Sequence, residues 1–261
     1  MKRFEFKIAG TLYKTMVPEN WDEVTHDQFV TYAGAVVDKS TMDFDTIRRI
    51  LNLDDVVTYS LTPSDWYFLK LALSFMENLD GYRVGLMDDV TLPDGTKCYG
   101  FSDDFSDVTW QEWMIADAQA GANRWDIFAA VMYRPRKENW DHKSEPRVEF
   151  SRWDCDQRLP QFQKLPSEQL AAIALNYKCM RRLLTRRYRR LFSGVPTDEM
   201  NKGHQNVGTD LHTLINNVMG DNFYEEEKYL HLAVPSVLFQ LDRMVREEKE
   251  RKRHARANRT N

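Results

Sequence analysis

The chain has 261 residues, of which 42% are hydrophobic, and its 14 Phe, 11 Tyr and 7 Trp supply enough bulky apolar surface for a packed core, which excludes disorder over the whole length. No run reaches the ~18 uncharged apolar residues of a membrane span. The start, Met1-Lys2-Arg3-Phe4-Glu5-Phe6-Lys7, lacks the apolar run of a secretory signal, and Cys98, Cys155 and Cys179 make no disulfide framework, so a cytoplasmic protein without a membrane partner is expected.

Phe4, Phe6 and Ile8 alternate with polar residues, Ala9-Gly10 offers a turn, and Leu12, Tyr13, Met16 and Val17 follow, which predicts a β-hairpin ended by Pro18. Thr25 and Gln28 form a capping box for a helix with Phe29, Tyr32, Ala33 and Val36 on its apolar face. A short helix is predicted over Asp45 to Leu51. Thr62-Pro63 starts a stronger one that spaces Trp66, Leu69, Leu73 and Met76 at helical period.

Between Gly81 and Phe105 the helix breakers Gly81, Gly85, Pro93-Asp94-Gly95 and Gly100 alternate with strand formers such as Tyr82, Val84, Val90, Leu92, Cys98 and Tyr99. A small β-insert is predicted there, pairing with the N-terminal hairpin. Thr109 and Glu112 cap the next helix, which carries Trp110 and Trp113, and Trp125 to Tyr133 continue as helix until Pro135 stops it. Tryptophans at this spacing read first as core and second as an interface. Glu138 to Leu165 reads as a polar, irregular connection.

After Pro166 a long basic helix is predicted over residues 167–192. Ser193 to Gly208 reads as a linker, followed by helices over Leu211 to Asn222 and Pro235 to Glu250 and a frayed charged tail from Arg251. The predicted fold class is mainly α. It comprises a helical domain over 1–195 with an N-terminal hairpin and a β-insert near 81–105, a linker over 196–208, and a C-terminal helical segment over 209–261 with a basic tail.

The net charge of −4 conceals a polarity: residues 41–117 hold 15 Asp/Glu against 5 Lys/Arg, whereas residues 167–192 hold 7 Lys/Arg against Glu168 alone. At about 100° per residue, Leu170, Ile173, Tyr177, Met180, Leu184, Tyr188 and Leu191 share one sector and define a buried stripe. Lys178, Arg182, Arg186, Arg189 and Arg190 face away, and Arg181 and Arg187 flank the stripe. Guanidinium forks bind carboxylate and phosphate bidentately, so Lys178, Arg181, Arg182, Arg186, Arg189 and Arg190 are the candidate partner-binding residues. The competing reading is a solvated face paired with the acidic stretch of the same chain.

No other constellation carries chemistry. The six histidines and three cysteines show no ligand spacing, so no metal is expected. Asp154-Cys155-Asp156 has no nearby histidine to activate the thiol and reads as a polar turn. Phosphate-loop and dinucleotide motifs are absent, so neither catalytic residues nor a cofactor are expected.

Pro18-Glu19-Asn20-Trp21-Asp22-Glu23-Val24-Thr25 leading to Gln28-Phe29, Thr109-Trp110-Gln111-Glu112-Trp113 leading to Ala116-Asp117, Phe128 to Tyr133, and the separate segment Leu211 to Leu241 carry a resemblance. The chain resembles helical proteins encoded in the tail-morphogenesis region of phages and prophages of Bacteroidetes. That resemblance implies a non-enzymatic, tail-assembly-chaperone-like protein that binds a helical tail component such as the tape-measure protein, or associates with itself, in the host cytoplasm. A structural virion component from the same region, or a nucleic-acid-binding or packaging accessory, are the alternatives.

Overall fold

The computed structural model describes residues 1–37, 42–82, 85–141, 145–192 and 223–257. The architecture is mainly α, with ten α-helices among the described residues and two small antiparallel sheets of two and three strands. The chain separates into two compact units, Met1–Met87 with Leu165–Met180, and Asp88–Lys164 with Arg181–Asn261. The division falls inside the stretch 1–195 that the sequence suggests as one domain.

The first unit opens with the expected hairpin: β1 (Lys2–Ile8) pairs with β2 (Thr11–Val17) from Lys2↔Val17 to Ile8↔Thr11. Ala9 and Gly10, both at positive φ, make the two-residue turn whose twist suits a hairpin. Helix α1 (His26–Val37) starts at the Thr25 box, where Gln28 Oε1 accepts from Thr25 N at 3.0 Å and Thr25 Oγ1 accepts from Gln28 N at 3.3 Å. Phe29, Tyr32 and Ala33 are buried as expected, but Val36 is exposed and Ala35 is buried in its place. Helices α2 (Phe44–Ile50), α3 (Asp55–Ser60) and α4 (Pro63–Leu73) follow, each capped at its start by the side chain of Asp43, Asp54 or Thr62.

Trp21 centres the core of this unit. Its ring meets Phe29, Tyr32, Phe75 and Tyr82 edge-on at centroid distances of 5.2 to 6.3 Å, and its indole N–H donates to Asn78 O at 3.2 Å. A Cβ at Gly81 would sit 3.1 Å from the Trp21 ring, so a larger residue here would press on the indole.

Helix α8 (Ser167–Arg187) contributes its first turns to the same unit. The stripe predicted for 167–192 is buried at Ile173, Tyr177, Met180, Leu184 and Tyr188, but the first half of the helix is not two-sided. Ala171 to Tyr177, Cys179 and Met180 are all buried, so this half is enclosed on every side, and the helix ends at Arg187. One polar group lies inside that enclosure: Asn176 Oδ1 accepts from Tyr82 Oη at 2.5 Å and from Leu86 N at 3.2 Å. Near the start of the helix, Glu168 packs where a Cβ on Gly34 would fall 2.8 Å from its Cγ, so glycine is what admits α8 beside α1.

In the second unit β3 (Asp89–Thr91) and β4 (Lys97–Tyr99) form the insert, turned at Gly95 with φ of +88°. The insert does not pair with the N-terminal hairpin. Its partner is β5 (Arg134–Pro135), because Cys98 aligns with Pro135 and Tyr99 with Arg134, while β1 and β2 form a sheet of their own. Helices α5 (Trp110–Gly121) and α6 (Trp125–Met132) bury Trp110, Trp113 and Phe128, whereas Trp125 is half-buried. The stretch 138–165, predicted to be irregular, contains α7 (Arg152–Phe162), capped by the Ser151 hydroxyl accepting from Asp154 N. Pro160 lies inside its last turn, where it removes the N–H that would donate to the carbonyl four residues earlier, and the helix ends two residues later at Phe162.

Two guanidiniums bind these pieces together. Arg134 and Arg147 are 2% and 1% exposed. Arg134 Nη2 lies 2.9 Å from Glu112 Oε1 and 3.3 Å from Glu145 Oε2, and Nη1 donates to Val148 O at 2.7 Å. Arg147 Nε donates to Glu145 Oε1 at 2.5 Å, Nη1 to Met132 O at 3.0 Å, and Nη2 reaches both Asp107 O at 2.7 Å and Asp107 Oδ2 at 3.0 Å. Burial, and then the charge of Arg147, push the Arg134 guanidinium below its usual range. Removing Arg147 takes the guanidinium from Asp107 and Glu145 and the donor from the buried Met132 carbonyl. Arg147→Met should therefore lower the unfolding free energy by about 3 kcal/mol; urea denaturation measures it, and a change below about 0.5 kcal/mol, the ordinary surface value, would show that the lattice adds no net stability.

The C-terminal segment supplies α9 (Phe223–Leu230) and α10 (Val234–Ala257). The linker over 193–208 and the helix predicted over 211–222 lie outside the described residues. The tail does not fray at Arg251, since α10 continues through Ala257. Val234, Val237, Leu238 and Leu241 bury the first turns of α10, while Trp110 N donates to Leu232 O at 2.8 Å and Val234 N to Val108 O at 3.0 Å.

Candidate functional site

The six candidate basic residues do not form one open face. Lys178 lies in the enclosed half of α8, partly buried, and that burial pushes its ammonium below the usual range. Arg181 is held inside the second unit by Asp117: Nε lies 2.9 Å from Oδ1, and Nη2 donates to Oδ2 at 3.5 Å, with side chains 15% and 6% exposed. This is a contact between the basic helix and the acidic stretch, so intramolecular pairing accounts for Arg181.

The remaining four stand at the end of the helix and just beyond it. Arg182 and Arg186 are half-buried, Arg189 is exposed, and Arg187, also exposed, lies over the Tyr188 ring at 5.8 Å. Arg190 Nη1 donates to Asp242 Oδ2 at 3.0 Å, and Tyr188 Oη donates to Pro235 O at 3.1 Å. Those two bonds tie the basic end of α8 to α10. Tyr188 and Arg190 thus brace this corner of the second unit, on which Arg189 is exposed.

Helix α10 carries a second set of exposed arginines. Beyond Leu241 it has no buried residue among those described, yet it runs on to Ala257. With its buried stripe at Val234, Val237, Leu238 and Leu241, the opposite sector of about 80° holds Phe239, Arg243, Arg246 and Arg253. Phe239 is 64% exposed and Glu250 is the one acid in that sector. The sequence reading treated Pro235 to Glu250 as an ordinary helix and did not separate these faces. The signal was present in the period, but which sector is covered depends on where Val108 and Trp110 receive the helix.

A second exposed surface lies on the first unit and was read only as core. Trp66, Leu69, Leu73 and Met76 are buried as expected. On the other side of α4, Tyr67, Phe68 and Leu71 are 65%, 53% and 57% exposed, and Tyr59 of α3 is 87% exposed. A helix apolar on both sides is normally covered on both. Elsewhere in this unit Phe6, Tyr13, Met16, Leu51 and Val57 line an open cleft of about 350 Å³ beside the hairpin.

Among the described residues no group of three or more His, Cys, Asp or Glu side chains is placed to hold a metal ion, and no helix is long and apolar enough to cross a membrane. Cys155 sits in α7, with Asp154 and Asp156 as helical neighbours, and not in the polar turn expected from the sequence. Burial pushes the Cys98 thiol up to about 11, against the nearby Arg158, and raises Cys155 as well. No family model, curated protein or solved structure matches the chain.

Two outcomes follow from this geometry. Arg181→Ala should destabilise the protein by about 3 kcal/mol by removing the guanidinium that the buried Asp117 carboxylate faces, whereas Arg189→Ala should stay within about 0.5 kcal/mol; equal losses in thermal or urea melts would contradict the division. The buried thiols have folded pKa values above their unfolded ones, so folding is favoured by their protonation at pH 8 and that contribution falls as pH rises from about 9 towards 11. Iodoacetamide at pH 8 should alkylate the folded protein far more slowly than the urea-unfolded chain, and rapid labelling of Cys98 or Cys155 in the fold would disprove the assignment.

Proposed function

We propose that this protein is a non-enzymatic, chaperone-like assembly protein of a phage tail, which holds a helical tail component such as the tape-measure protein through the basic corner at the end of α8. The observation that carries the reading is the braced corner itself. Arg182, Arg186 and Arg189 belong to the segment that Arg190–Asp242 and Tyr188–Pro235 tie to α10 just beyond the end of α8. Such a corner suits an acidic helical segment, because fixed guanidinium forks select carboxylates spaced along one helix face.

Co-expression with the candidate tape-measure protein and pull-down tests the reading. Reversing Arg182, Arg186 and Arg189 to Glu should weaken the complex at least about tenfold, or ~1.4 kcal/mol, with the circular dichroism spectrum unchanged. Undiminished binding would reduce the corner to a solvated surface. A structural virion component is the neighbouring alternative and is separated by whether the protein co-purifies with finished particles. Affinity for DNA or RNA that falls steeply with salt, with no protein complex formed, would move the assignment to a nucleic-acid accessory.

A further inference from the structure

The two edges of the N-terminal hairpin are not equivalent. Ile8 and Thr11 flank the two-residue turn at Ala9-Gly10, and in such a hairpin the flanking residues form a hydrogen-bonded pair. Phe6↔Tyr13 and Phe4↔Thr15 follow in the same phase, so the backbone N–H and C=O groups of Leu12, Lys14 and Met16 point away from β1, along the outer edge of β2. Those of Arg3, Glu5 and Lys7 line the outer edge of β1 in the same way. Among the described residues, neither row of backbone groups meets a further partner.

Charge closes the first of these edges and hardly touches the second. Natural sheet edges are commonly guarded by charged side chains, and Arg3, Glu5 and Lys7 guard β1, with Arg3 Nη2 2.8 Å from Glu5 Oε1. On β2 the one charge is Lys14, set between Leu12 and Met16, which are 50% and 49% exposed. The open cleft of about 350 Å³ also belongs to β2, since it is lined by the consecutive residues Tyr13 to Met16 but by Phe6 alone from β1. Tyr13 and Thr15 turn to the packed face and Lys14 and Met16 to the solvent face, so a cleft that touches all four follows the strand backbone. Buried Leu51, Leu53 and Val57, from the end of α2 and the start of α3, form its apolar wall.

A row of donors and acceptors repeating every two residues is complementary to the backbone of another extended strand. A helix does not match it, because its own backbone groups are consumed internally. A strand added to β2 would turn every second side chain onto the packed face beside Tyr13 and Thr15, where the cleft can receive it. We propose that the outer edge of β2 and its cleft bind an extended peptide segment of another protein by strand addition, with apolar residues at alternate positions entering the cleft against Leu51, Leu53 and Val57. From Leu12 to Met16 the edge runs for about 14 Å, at ~3.4 Å per residue, so about five peptide residues are held. A second copy of this chain fits worse. Antiparallel pairing of β2 on β2 about Lys14 sets lysine against lysine, and a copy's β1 edge brings charges where apolar side chains are wanted.

The test uses the full chain and leaves the arginines of α8 untouched, so its outcome is separate from that of the tail-assembly reading. A displayed library of short random peptides is selected on the protein, and enriched peptides are synthesised with blocked ends. They should alternate apolar and polar residues, and on binding they should slow hydrogen exchange at the Leu12, Lys14 and Met16 amides about tenfold or more, with Arg3, Glu5 and Lys7 unchanged. Methylating alternate backbone nitrogens of the peptide should abolish binding in one phase and spare it in the other, a dependence that apolar adhesion alone does not produce. Lys14→Pro should weaken binding about tenfold, and the hairpin should persist because the Lys14 N–H lies outside its ladder.

The proposal is overturned if no peptide is enriched, if enriched peptides leave the β2 amides unprotected, or if methylation acts equally in both phases. Protection of the same amides that rises with protein concentration in the absence of peptide also overturns it, since a second copy is then the occupant. Lys14→Pro binding like the parent chain refutes it as well. Should that variant not fold, the methylated peptides decide the question on the parent chain.

Discussion

The enclosure of the first half of α8 is the constraint on which the first unit depends. Residues 171–177 are buried without a break, so a run containing Asn176 sits where water does not reach. An unsatisfied amide there would cost on the order of 1–3 kcal/mol. The Tyr82 hydroxyl and the Leu86 amide remove that cost. The same Tyr82 ring packs edge-on against Trp21, 5.2 Å away, so the polar pin and the aromatic core are one construction. The glycines at 34 and 81 are its clearances, one for Glu168 and one for the indole.

The second unit solves a harder electrostatic problem with the same means. Arg134 and Arg147 could not be buried alone, and each is met by carboxylates and by backbone carbonyls at the ends of other elements. Glu112 closes the Thr109 capping box through Oε2 and faces Arg134 through Oε1. The start of α5 is thereby fixed to β5. That start also receives the C-terminal segment, through Trp110 N to Leu232 O and Val234 N to Val108 O.

The acidic character of residues 41–117 changes meaning in this light. Asp43, Asp54 and Asp65 serve helix starts, Asp94 and Asp104 serve turns, Asp107 and Glu112 face buried arginines, and Asp117 holds Arg181. Much of that stretch is engaged in local structure and does not act as one long-range field. What remains outward on both units is narrower and more specific: arginines braced at a corner, one aromatic on a basic helix, and an aromatic helix face with acids at its ends.

The sequence by itself determined the parts governed by neighbours along the chain. The hairpin turn at Ala9-Gly10, the capping boxes at Thr25, Thr62 and Thr109, and the buried stripe of α4 depend on spacings of two to four residues, and each appears where the pattern put it. Tertiary structure decided everything that needed a partner from far away. β4 found β5 and not the hairpin, since pairing register depends on which strand arrives alongside. Arg134, read as the residue before a helix-stopping proline, became a buried cation because Glu112 and Glu145 converge on it. Five basic residues at helical period shared one sector, with Arg181 and Arg187 flanking the stripe; only the position of Asp117 made Arg181 an internal partner, only the enclosure of the first half of α8 covered Lys178, and only the position of Asp242 tied Arg190 to α10. Periodicity gives the direction of a side chain around its own helix, whereas burial is set by what packs against that side.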